Sequence, residues 1–210
     1  MQASFAGYHV VALAYPSSIS ISKFKQSADE NVFLAARENI IHGTPFPELG
    51  VNKDNCIINR LTKLIVFLNT GYPNEGWGQY LTSETKLVWE NFVIAGQSQG
   101  GGHAAVLAMQ YTVSRVLMLG SPKDFNTYVN KPARWLLGHN STPLDRYFSF
   151  VHCHDSNGSL TKSERYIDTF VCLCGYFASF LVFCSLCDLL REWVLLHLFA
   201  FLLCTATLQI

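Results

Sequence analysis

The sequence predicts an α/β fold, a doubly wound, mostly parallel sheet over the first 160 residues with apolar C-terminal helices after it. Three observations predict it. Short apolar runs rich in β-branched residues alternate with longer stretches whose apolar residues recur every three or four positions, the pattern of strands joined by helices in a parallel sheet. Clusters of Gly, Pro and Asn punctuate that alternation. Composition then changes abruptly near Asp168, beyond which only Asp188, Arg191 and Glu192 carry charge. The organisation read from this is one domain over 1–160 and a hydrophobic, Cys-rich tail over 161–210.

Taken in order, Tyr8 to Tyr15 is short, β-branched at its centre and closed by Pro16-Ser17-Ser18, so it is expected to be a buried strand. From Asp29 to Ile41, Val32, Phe33, Ala36 and Ile40 fall on one helical face, and Gly43-Thr44-Pro45 stops the helix. Asp54 or Asn55 is placed to cap a second helix, with Ile57, Leu61, Leu64, Ile65 and Leu68 on its apolar side and Gly71-Tyr72-Pro73 at its end. Trp77 to Leu87 reads as a loop or short helix. Phe92 to Ala95 gives a second strand, Gly102 to Gln110 an Ala-rich helix able to lie close to a sheet, and Val116 to Gly120 a third strand. Tyr128 to Leu137 is expected to be helical although Pro132 interrupts it, and Tyr147 to Val151 makes the fourth strand.

The length of 210 residues suffices for one sizeable core. Fifteen basic residues balance fifteen acidic ones, so no net field draws nucleic acid, which is not an expected partner. Cys56 and Cys153 are the body's only cysteines, which excludes a disulfide scaffold there. The N-terminus lacks the basic start of a secretory signal. Asn140-Ser141-Thr142 and Asn157-Gly158-Ser159 match glycosylation sequons, which act only on a secreted chain. No cofactor and no metal are expected. Cys172-x-Cys174 and Cys184-x-x-Cys187 approach zinc spacing but lack the usual polar ligands and turns.

Gly96-Gln97-Ser98-Gln99-Gly100 matches G-x-S-x-G, with an apolar strand before it and an Ala-rich helix after it. A serine hydroxyl is a poor nucleophile in water, and a sharp strand-to-helix turn presents it to a base that can take its proton. Side chains two positions either side would collide with neighbouring backbone, and Gly96 and Gly100 occupy those places. The following helix aims free N–H groups and its positive dipole end at the turn, so the Gln99 N–H is the first donor for a developing oxyanion. The bland alternative is an ordinary Gly/Ser turn. A phosphate-binding loop would need a Lys-Ser/Thr ending that is missing here. His103 lies five positions along the helix from Ser98 and points about 140° away from it, so it reads as a helix-surface histidine and not the base.

Residues 7 to about 160 resemble the α/β-hydrolase superfamily, particularly hydrolase-like proteins of plants and bacteria. The resemblance is carried by Gly7 to Pro16, by Gly96 to His103, by Leu119-Gly120-Ser121-Pro122 and by Phe148-Ser149-Phe150-Val151-His152. It implies a partial hydrolase domain with Ser98 as nucleophile and an acid after the strand two along from the elbow strand, which falls at Asp155. That carboxylate would hold a histidine tautomer and stabilise imidazolium. By its residues alone, Asp155-Ser156-Asn157-Gly158 is equally a polar turn. Two features depart from the family. Beyond Asp168 the only histidine is His197, inside an apolar run, although His152 and His154 lie near Asp155. Only seven residues precede Tyr8, too few for the strand and glycine-containing loop that supply the family's second oxyanion N–H.

Thr169 to Cys187 is nineteen residues without a charge and Trp193 to Ile210 eighteen more, each near the length of a bilayer-spanning helix. Residues 169–210 are therefore a possible membrane contact, with the protein membrane-associated if the tail inserts and cytoplasmic otherwise; a tail substituted by an altered transcript is the alternative. The expected function is a serine-esterase-type α/β-hydrolase-like protein acting on a small ester or acyl substrate, weak or inactive because the catalytic His and an oxyanion loop are not evident. Its rivals are a catalytically silent, membrane-tethered scaffold and a truncated variant of a longer hydrolase.

Overall fold

The structure, a computed structural model, describes residues 2–83, 86–152 and 180–183. It is mixed α/β. Strands β3 (Val93–Gln97), β4 (Arg115–Leu119), β7 (Tyr147–His152) and β8 (Phe180–Phe183) form one sheet in that order, every pair parallel. Two antiparallel ribbons, β1 (Leu81–Ser83) with β2 (Lys86–Leu87) and β5 (Phe125–Asn126) with β6 (Lys131–Pro132), stand apart from it. The helices are α1 (Gln2–Phe5), α2 (Val32–His42), α3 (Ile57–Gly71) and α4 (Gln99–Gln110).

The register sorts the sheet's side chains into two faces. Ile94, Val116 and Tyr147 align on one, with Gly96, Met118 and Ser149 beside them; Ala95, Leu117 and Phe148 align on the other, with Gln97, Leu119 and Phe150. On the first face Val116, Met118 and Tyr147 are buried in a core shared with Phe33, Ala36, Ile40 and Ile41 of α2 and Ala104 to Ala108 of α4. Each large aliphatic buried there stabilises the fold by about 1.5–3 kcal/mol relative to exposure. The second face is open: Val93, Ala95 and Leu119 are exposed and Leu117 only half-buried.

Several expectations hold closely. Helix α2 starts three residues inside the expected span and ends at Gly43, whose φ of +70° suits glycine. The elbow strand, its helix and the two following strands fall within a few residues of their expected positions.

Others are corrected. Tyr8 to Tyr15 is not a strand and joins no ladder; its Val11 and Leu13 pack instead on a small cluster of Leu61, Ile65 and Trp77. Tyr128 to Leu137 is not a helix. Pro132, which cannot donate to a helical ladder, lies in the β5–β6 ribbon, and only Arg134–Leu137 makes a short 3₁₀ turn. Cys56, not Asp54 or Asn55, stands at the N-cap of α3, without a side-chain cap bond. Phe180–Phe183, inside the first apolar stretch, is a strand and not a helix; the edge of β7 supplies its backbone partners. The doubly wound arrangement is not seen among the described residues, where α4 covers one face only. The 160/161 boundary and the rest of the tail lie outside the described residues. Among those described, no helix is long and apolar enough to cross a membrane.

Candidate active site

Ser98 occupies the single residue between β3 and α4, with φ 51° and ψ −115°. Positive φ at a non-glycine residue is uncommon and costs roughly 1–3 kcal/mol, so the surroundings must hold it. They do so through close packing. A Cβ on Gly96 would lie 2.5 Å from the Gly101 nitrogen, amid the Gly100–Gly101 peptide, so only glycine lets the strand end this near the helix. The Ser98 N–H donates to the Leu119 carbonyl at 2.7 Å, extending the β3–β4 ladder into the turn. The side chain is left exposed.

The glycine run after Ser98 divides unexpectedly. A Cβ on Gly100 would meet only the Tyr15 hydroxyl, at an ordinary 3.6 Å, so the second motif glycine is not sterically required. A Cβ on Gly101 would lie 2.6 Å from the Ser121 Cβ, and one on Gly102 would fall within the Arg37 guanidinium. The close approaches on the helix side thus belong to Gly101 and Gly102.

Arg37 is the largest feature that the sequence did not disclose. It is 2% exposed and forms a bidentate pair with Asp124, Nε and Nη2 each donating at 2.6 Å. Trp135 Nε1 donates to the same carboxylate at 2.8 Å, and Arg37 Nη1 donates to the Gln99 carbonyl at 3.0 Å. The Ile21 N–H donates to Gln99 Oε1 at 2.9 Å, so this residue is held at both its backbone and its side chain. A buried pair with all these hydrogen bonds met holds α2, the segment after β4 and the start of α4 in one geometry.

Gln99 heads α4, so its N–H has no acceptor within the helix and is available to an oxyanion beside Ser98. No second donor loop is identified. His103 is not on the helix surface: it is 2% exposed, 3.4 Å from Arg37 Nη1 through Nδ1, and edge-on to Tyr15 at 5.2 Å. The isolated helical wheel could not register that α2 and Tyr15 cover this side. Burial, and then the Arg37 charge, hold its pKa well below 6.5, so it is neutral at pH 7. With Nδ1 facing a guanidinium that can only donate, the proton belongs on Nε2, which has no partner.

Two other histidine rings are engaged elsewhere. His9 stacks on Trp77 at 4.3 Å and meets the Tyr80 hydroxyl, and His42 bonds Gln110. None of the hydrogen bonds made by His9, His42 or His103 reaches Ser98, and nothing is described of the His152 side chain. Asp155 and His154 lie outside the described residues. Asp124 follows β4, but its carboxylate is engaged by Arg37 and Trp135 and orients no histidine. Among the described residues no His, Cys, Asp or Glu cluster is arranged for a metal. An apolar cavity of about 290 Å3 lies near β3, yet its lining stops at Ala95, short of the Ser98 hydroxyl.

No family model, curated protein or solved structure matches the chain.

Proposed function

We propose that the chain is an α/β-hydrolase-like protein of the serine esterase type, with Ser98 as nucleophile and the Gln99 N–H as oxyanion donor, and that it turns over weakly or not at all. The observation that carries this reading is the exposed, positive-φ serine at the strand-to-helix junction, held by Gly96 and the Arg37 anchor. Ser98 Oγ bonds to the acyl carbon of an activated ester, its proton passes to a base, and the alkoxide departs. With no described base against Ser98, the proton goes to solvent or buffer and acylation is slow. Asp155 is proposed as the acid of a complete arrangement, and a small ester or acyl compound as the substrate.

The test is release of p-nitrophenol from p-nitrophenyl acetate, with and without added imidazole. Imidazole cleaves this ester unaided, so rates are taken above a protein-free blank at the same imidazole concentration; a slow net release that imidazole accelerates in the native chain, but not in Ser98→Ala, supports the reading. Equal rates in both proteins with imidazole present would remove Ser98 from the chemistry.

A further inference from the structure

Strand β3 ends the sheet, with β4 on one side and no strand on the other among the described residues. The N–H and C=O of a strand residue point to the same neighbour, and successive residues point to opposite sides. The Ser98 N–H donates to the Leu119 carbonyl and the Ser114 N–H to the Phe92 carbonyl, so the even-numbered positions face β4. Val93, Ala95 and Gln97 therefore turn three N–H and three C=O groups outward, and these have no partner among the described residues.

Across the cavity of about 290 Å3 from Val93 and Ala95 lie residues 8–11. Their stretch of chain alternates as a strand does, with Val11 and Leu13 half-buried and Val10, Ala12 and Ala14 exposed. Yet His9 to Leu13 make no backbone hydrogen bond among the described residues, so this wall does not close onto β3. The cavity draws its lining from both sides of the sheet. Ile65 and Trp77, which pack with Phe92, lie on the side of the buried face, and Arg115 and Leu117 lie on the open one.

We infer that the cleft between residues 8–11 and β3 accepts one extended segment of another polypeptide, which adds to the sheet as a strand beside β3. Unpaired backbone groups at every second residue are met by the backbone of a strand, whereas a lipid chain or an aromatic ligand leaves them unmet. The side chains of the added segment alternate in the same way. Those turned toward Ile65 and Trp77 are apolar, and those turned toward the open face, which carries Arg115 and Gln97 beside Leu117, are polar. The wall formed by residues 8–11 leaves room for a single strand and keeps the folded sheet edge of a second copy away.

The test is amide hydrogen exchange of the full chain, resolved by residue with NMR, alone and with an acetylated heptapeptide that alternates valine with threonine. In the free chain the Val93, Ala95 and Gln97 N–H groups are expected to exchange faster than those of Ile94 and Gly96. Saturating peptide should slow the three outward amides by about tenfold and leave the two inward ones within about twofold. The same peptide N-methylated throughout keeps its side chains, loses its donors and should protect none of them. Protection of the outward amides by both peptides, or by neither, overturns the inference. So does slow exchange of those amides in the free chain, which means an edge already paired: by this chain where the rate is independent of protein concentration, by a second copy where it is not.

Discussion

On β4, Met118 and Leu119 are neighbours in sequence and opposites in environment. Met118 is fully buried beneath α4, and Leu119 is 41% exposed on the other side. Apart from the in-plane bond from the Ser98 N–H to the Leu119 carbonyl, what fixes the turn at Ser98 lies with Met118: the Gly96 approach to α4, the Gly101 contact with Ser121, and Arg37 bonding both Asp124 and Gln99. The open face contributes no described contact to the turn. The geometry at Ser98 is therefore set by the strand ladder and the buried face, without side chains from the open one.

The contrast is broken most severely at Arg37. Arg37→Ala leaves the Asp124 carboxylate buried and unpaired and is expected to cost about 3–5 kcal/mol, read from the denaturant midpoint. Arg37→Met with Asp124→Leu removes both charges and should recover much of that loss, as coupled residues do. Next comes the β4 pair itself. Met118→Ala should cost about 2–5 kcal/mol through the cavity it leaves. Leu119→Ala, whose side chain already meets solvent, should cost under about 0.5 kcal/mol.

The two motif glycines sharpen the contrast at smaller scale. Gly96→Ala forces a methyl into the Gly100–Gly101 peptide and should cost about 1–3 kcal/mol. Gly100→Ala meets open space and gains helix propensity, so its midpoint should be unchanged or higher by up to about 1 kcal/mol. The smallest expected effect is a pH slope. His103 has a folded pKa below 6.5, so the unfolded chain takes up a proton there before the folded chain does. Stability is thus present above pH 6.5 and is lost as pH falls below it, with a slope approaching one proton. His103→Gln should flatten the change in midpoint between pH 7.5 and 5.5.

The elements nearest the site were legible because their signals are local. An apolar run into Gly96, then Gly and Ala along α4, states both a strand end and a close helix. Tyr8 to Tyr15 carried the same local signal but has no ladder partner, which no local pattern can report. The helix expected over Tyr128 to Leu137 does not form because Pro132 cannot donate within it. Arg37 and Asp124 were invisible because 87 positions separate them and each reads alone as an ordinary surface charge. His103 was misplaced for the same reason: its environment is made by α2 and Tyr15. Gly102 reads in sequence only as the start of an Ala-rich helix, yet its missing Cβ is what admits the guanidinium.

The most direct measurement is the intact mass of the full chain after prolonged incubation with a fluorophosphonate, followed by peptide mapping. One adduct, formed slowly, located on Ser98 and absent from Ser98→Ala, is the expected result. No adduct on Ser98 after incubation with imidazole at high concentration, or an adduct on another serine of the folded protein, would contradict the assignment of this turn as a nucleophile's seat.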